Sequence, residues 1–249
     1  MRDLTELTDV EEPSWPLLSE ALAASGVSME VLPADPALGR ATLLQLQVTA
    51  RSWLGGLVLN CGGLVLDSGW LRIYGSPAAD TSTGLPGASA DLPSLAEVNE
   101  FPERFDPSWR PANGLVVGHD VLGGVFLVNG ADPEAAGRPG GPGEIVYFAP
   151  DSLRWEALEV GHGEWLDWFL REGTDRFYDT LRWPGWRAES GLLGGTQGLS
   201  VVPFLWSAEA RRDLHSTSRR AVPLAEILQL HRDFALKLDK VDPGFFGSP

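Results

Sequence analysis

The sequence predicts an α+β fold, an antiparallel β-meander packed by helices and closed by a C-terminal helical extension. Three observations lead there. Apolar runs in the middle of the chain come in pairs separated by short glycine-bearing turns, which is how up-and-down strands are joined. Stretches of helical period lie before and after them. The order helices, meander, helices belongs to α+β domains, with helices on one face of the sheet, and not to the alternating pattern of parallel sheets.

Residues 1–62 are predicted to be a helical N-terminal part. Ser14 leads into WPLLSEALAAS, and Asp35 followed by Pro36 supplies an N-cap and first-turn proline for PALGRATLLQLQV. A further helix is expected through RSWLGGLVLNC up to the Gly62-Gly63 pair. From Gly63 the period changes to that of strands. GLVLDSGWLRIYG breaks at Asp67-Ser68-Gly69 and reads as a hairpin; LVVGH with VFLVN and EIVYFA with SLRWEAL repeat the pattern. Residues 63–172 thus make the sheet core of a single domain. Two loops, Gly75–Ala112 with a short helix at SLAEVNEF and Gly130–Gly143, interrupt it as candidate mobile segments. Helical period returns at GEWLDWFLREGTDRFYDTL, where Trp165, Trp168 and Phe169 stand at i, i+3 and i+4. Residues 173–249 then add a strand, LSVVPFLW, and a helix opened by Pro223 with Leu224, Ile227, Leu228, His231, Phe234, Ala235 and Leu238 on one stripe.

Charge narrows the function classes. The 249 residues carry a formal net charge of -15, and the excess is concentrated in residues 1–150, with 19 acids against 7 bases. Such a surface repels phosphate backbones, so nucleic acid is not an expected partner; it serves either as a solvated face that keeps the chain soluble or as a docking face for a basic protein, such as a toxin. Cys61 is the only cysteine, which excludes an internal disulfide and suits a reducing cytoplasm. The acidic N-terminus lacks a signal-peptide h-region and no run has the length of a membrane span, so a cytoplasmic protein with no membrane partner is expected.

Motifs for catalysis are weak. His119, His162, His215 and His231 lie at no metal-ligand spacing, so neither a metal nor a cofactor is assigned. Cys61 sits in the apolar run LVLNCGG, there is no G-x-S-x-G elbow, and the glycine-rich GLLGGTQGLS lacks the ending and context of a phosphate loop. His119 and Asp120 are neighbours at a strand end and point to opposite sides, which leaves Asp120 to form the turn. An enzyme would need a site assembled from distant residues, including these two. Tryptophan is the anomaly: of 10 in all, Trp165, Trp168, Trp183 and Trp186 fall within 22 residues. Large rings at the join of sheet and C-terminal helices explain this, while a Trp and Arg binding surface, or a platform on which a sugar or other small ligand stacks, is the functional alternative. The binding candidates are Trp70, Arg72, His119, Asp120, Trp183 and Trp186.

The order of Gly62-Gly63, LRIYG (71–75), SLAEVN (94–99), LVVGHDVLGGVFLVN (115–129), GEIVYF (143–148) and a helix from Glu164 resembles the SUKH superfamily, which includes yeast cell-wall assembly regulators and bacterial toxin-immunity proteins. That resemblance implies protein binding, often toxin neutralisation, and carries over no catalytic residue. Over nearly the whole length, EEPSWPLL, VLPAD, LQVTARSWLG, GGLVLDSGWLRIYGS, DVLGGVFLVNG, FAPDSLRWEAL and RWPGW resemble an uncharacterised bacterial family known as a domain of unknown function. It implies no activity. A non-enzymatic protein-binding domain is the leading expectation.

Overall fold

The computed structural model describes residues 1–79, 89, 91–111 and 113–249. Among them, seven strands form one antiparallel sheet in chain order: β1 (Met29–Pro33), β2 (Cys61–Leu66), β3 (Leu71–Tyr74), β4 (Gly114–Asp120), β5 (Val125–Asn129), β6 (Glu144–Ala149) and β7 (Arg154–Gly161). The hairpins are where the turn residues place them. Asp67 and Ser68 take φ of 53° and 58° and Gly69 81°, so the chain reverses between β2 and β3. Between β4 and β5 Asp120 accepts from the backbone N–H groups of Leu122 and Gly124, both at 2.9 Å, while Gly123 adopts φ +83°. The His-Asp dipeptide therefore does close a hairpin.

The N-terminal part is not wholly helical. Helices α1 (Leu4–Thr8), α2 (Trp15–Ala24), α3 (Pro36–Leu46) and α4 (Trp53–Asn60) form as their caps dictate, with Asp35 accepting from Ala37 and Leu38 and Ser52 from Gly55. Yet MEVLP, between α2 and α3, pairs with β2 as the edge strand β1. Five residues with weak alternation carry little signal of their own; the partner strand supplies it. The predicted loop Gly75–Ala112 falls partly outside the described residues (80–88, 90 and 112); within the rest, Ser94 caps α5 (Leu95–Val98) with a capping box to Glu97.

Every residue of β2, β3 and β4 is buried, so both faces of the sheet are covered, not one. On one face α6 (His162–Trp168), a π-turn (Phe169–Gly173) and α7 (Thr174–Phe177) lay Trp165, Phe169 and Phe177 against Phe126 at ring distances of 5.2, 5.5 and 5.6 Å. The C-terminal addition comprises α8 (Trp186–Ser190), β8 (Gln197–Val202), α9 (Ala208–Arg212), β9 (Ser218–Pro223), α10 (Leu224–Leu238) and a tail to Pro249; its β8, α10 and tail meet the other face at Arg72, Phe148 and His119 respectively. The predicted strand LSVVPFLW stops at Val202 and pairs with β9, which the Arg-rich SRRAVP conceals from a hydrophobicity reading. Pro223 opens α10 as expected, and its apolar stripe rests on β8 and the Gly123 turn. No helix among the described residues is long and apolar enough to cross a membrane.

Candidate functional site

The six binding candidates lie in three places, all buried. Arg72 and His119 are cross-strand partners on the face beneath the C-terminal addition, whereas Asp120 pairs with Leu71 and faces the other way. The Nε2 of His119 lies 2.7 Å from the carbonyl oxygen of Phe246, which can only accept; Nε2 therefore carries the proton and Nδ1 accepts from the Tyr74 hydroxyl at 2.7 Å. Burial, reinforced by the nearby Arg72 charge, holds the His119 pKa at about 3, so the ring is neutral. It is a satisfied core histidine. Arg72 donates from Nη1 to the carbonyls of Gly195 and Gln197, and burial lowers its pKa.

On the opposite face the Asp120 carboxylate receives the Tyr147 hydroxyl at 2.7 Å, besides its two turn amides. Burial raises its pKa, against the pull of those donors. His119 and Asp120 thus have separate partners on separate faces, and no shared substrate atom can touch both.

Trp70, Trp183 and Trp186 belong to one cluster at the join of the Asp67–Trp70 turn and the C-terminal addition. The Trp70 ring lies 5.6 Å from Trp183 and 5.0 Å from Trp186. Between the rings sits Arg182, with its guanidinium 3.8 Å from the Trp186 centroid, 2.6 Å from Asp67 and 2.8 Å from Asp175. Trp183 donates to Glu189 at 2.8 Å and lies under Arg219. With exposures of 2 and 7 %, Trp183 and Trp186 offer no open ring face for a sugar: the rings fill the seam between the turn and the C-terminal addition, as the first of the two sequence readings expects, and not the alternative of a platform. The Cys61 thiol, pushed up to about 12 by burial, is no nucleophile.

The open site is elsewhere. A groove of about 1060 Å³ runs between α2 and the α6–π-turn helix. Leu17, Glu20, Ala21 and Ala24 line one wall at i, i+3, i+4 and i+7; Gly163, Glu164, Asp167, Leu170 and Arg171 line the other, and Trp53 of α4 lies between them. Ser25, just past the end of α2, donates to the Leu170 carbonyl in the π-turn at 2.5 Å, tying the two walls together at that end. Asp167 pairs with Arg171 at 2.9 Å, but among the described residues Glu20 and Glu164 have no ion-pair partner. Leu17 is 64 % exposed on the rim. Sequence reasoning missed this site because its walls come from segments more than 130 residues apart; the acidic excess was its only trace. Among the described residues, no group of three His, Cys, Asp or Glu side chains is placed to hold a metal ion.

A buried aromatic seam and an acidic groove between helices mark this α+β domain. The chain belongs to the family described as protein of unknown function DUF2625, whose model matches residues 4–227. It is 36 % identical over 232 residues to the uncharacterized protein YbfG of Escherichia coli (strain K12), covering 92 % of this chain and 95 % of that one. It is also 29 % identical over 205 residues to an uncharacterized protein of Haemophilus influenzae (strain Rd), with 82 and 83 % covered. No solved structure matches the chain.

Proposed function

We propose that this chain is a non-enzymatic protein-binding domain of the cytoplasm, and that the groove between α2 and α6 takes a basic amphipathic helix of its partner. The observation that carries this reading is the pairing of shape and charge there. Two helix faces, presented at helical spacing, leave an opening lined by Leu17, Ala21, Ala24, Trp53 and Leu170, with Glu20 and Glu164 on its flanks. An apolar helix face fills such a groove while Lys or Arg on its edges meet the carboxylates. The chain's charge of -15 steers basic partners toward it. Toxin neutralisation is the particular form implied by the SUKH-like order of landmarks, since proteins that hold nucleic acid are basic.

The test uses a labelled amphipathic helix of Lys and Leu and a Glu and Leu counterpart, followed by fluorescence anisotropy. The Lys peptide is expected to bind, to weaken as salt rises, and to lose at least tenfold in affinity on Glu20→Lys with Glu164→Lys. Equal binding of both peptides, or indifference to the charge reversal, would overturn the reading. For the toxin form, the product of the adjacent gene is expected to be basic and to co-purify with the chain.

A further inference from the structure

The C-terminal tail covers the face of the sheet that holds His119 without forming an element of its own. From Lys240 to Pro249 the backbone has no helix or strand. Its attachments are nevertheless specific. The Phe246 ring packs 4.4 Å from Phe148 and 5.8 Å from Trp155. Its carbonyl accepts from His119 at 2.7 Å, the Ser248 N–H donates to the Val98 carbonyl at 2.9 Å, and the Trp155 indole donates to the Pro243 carbonyl at 2.9 Å. These are the contacts of a bound extended peptide: one aromatic anchor in a pocket, with main-chain groups read on either side. Space flanks the tail on both sides, a cavity of about 400 Å³ toward α10 and Glu100 and one of about 360 Å³ toward Leu153 and Trp155. Phe246 itself joins the core at 5 % exposure, whereas Val241, Asp242 and Ser248 are exposed, so the tail is a strap pinned at its anchor.

The residue after the anchor is restricted. Gly247 has φ +86°, and a Cβ there would stand 2.7 Å from Val98 Cγ1 and 3.3 Å from the His119 ring. Only glycine fits against α5 and β4 at that point. The strap also follows the stretch matched to the family, whereas Val98, His119, Phe148 and Trp155 all lie within it.

We propose that this groove is a peptide-binding site for an extended segment with phenylalanine followed by glycine, and that the chain's own tail is its resident, competing occupant. His119 and Trp155 supply donors to the main chain of such a peptide, Val98 an acceptor, and Phe148 with Trp155 the wall of the phenylalanine pocket. The site lies on the side of the sheet opposite α6, so it stands or falls independently of the acidic groove.

The experiment keeps the chain full-length. The double variant Phe246→Ala with Gly247→Ala removes the anchor and forces the strap off α5. A labelled peptide of residues 240–249, KVDPGFFGSP, is titrated into the wild-type and variant chains. The variant is expected to bind it saturably and at least tenfold more tightly than wild type, and a peptide with Ala at the position of Phe246 is expected to lose that gain. Dimers of the wild-type chain that appear on concentration and are displaced by the peptide would support the same groove through exchanged tails. A folded variant that does not bind the peptide overturns the proposal. So does a variant that fails to fold, because the tail would then be core and not an occupant.

Discussion

Lowering the pH from 7 to 5 is expected to remove about 5 kcal/mol of stability, and three buried histidines set that figure. Burial holds His119 at a pKa of about 3, and His162 and His231 at about 4. An unfolded imidazole titrates near 6.5. The native rings stay neutral between these values while the unfolded chain takes up three protons, so their stability is complete above pH 6.5 and falls as the pH drops toward the folded values. Each ring loses about 2 kcal/mol between pH 7 and 5. Asp120 acts in the opposite sense: its raised carboxyl contributes stability at low pH that is lost as the pH rises through its folded value, which trims the total. Against a typical stability of about 5–15 kcal/mol the drop is large.

His162 allows the cleanest dissection. Neither of its ring nitrogens has a hydrogen-bond partner among the described residues, and it packs against Trp165 at 5.5 Å. His162→Leu removes one proton from the linkage without orphaning another group. Urea unfolding at intervals from pH 7 to 5 should show the slope of stability with pH reduced by about 1 kcal/mol per pH unit on average. A wild-type stability at pH 5 equal to that at pH 7, or an unchanged slope in His162→Leu, would refute the reasoning.

Asp67→Asn puts a neutral amide where the Arg182 guanidinium, buried among Trp70, Tyr178 and Trp186, has its 2.6 Å carboxylate, and leaves only the exposed Asp175 as counter-charge. A loss of about 3 kcal/mol is expected in guanidinium unfolding, with a red shift of tryptophan emission. Tyr147→Phe deletes the hydroxyl that meets Asp120 and should cost about 1–3 kcal/mol in urea unfolding, because the carboxyl stays buried with one donor fewer. Cys61, with its thiol at about 12, should resist iodoacetamide at pH 8 in the native chain and react promptly in urea. Equal rates in the two states would contradict its burial.

Local chemistry was enough for the elements that carry their own instructions. Asp35-Pro36 starts α3, Asp67-Ser68-Gly69 and Gly123-Gly124 turn the chain, and the stripe beginning at Leu224 makes α10; each depends on residues within one or two turns of one another. The same local reading placed His119 and Asp120 on opposite sides of a strand, because side chains alternate along any extended backbone. It could not place MEVLP or SRRAVP in strands, since those segments owe their conformation to hydrogen bonds from β2 and β8.

What only the tertiary structure decided is who meets whom. Trp183 and Trp186 are seam and not surface because the Trp70 turn and Arg182 close over them. The acidic groove arises from Glu20 and Glu164, 144 positions apart, and the strap from a tail laid over a histidine 127 positions earlier in the chain. Turns and periods act over a few residues through bonded geometry. Burial and charge act through space, and the chain brings those partners together only when the sheet has formed.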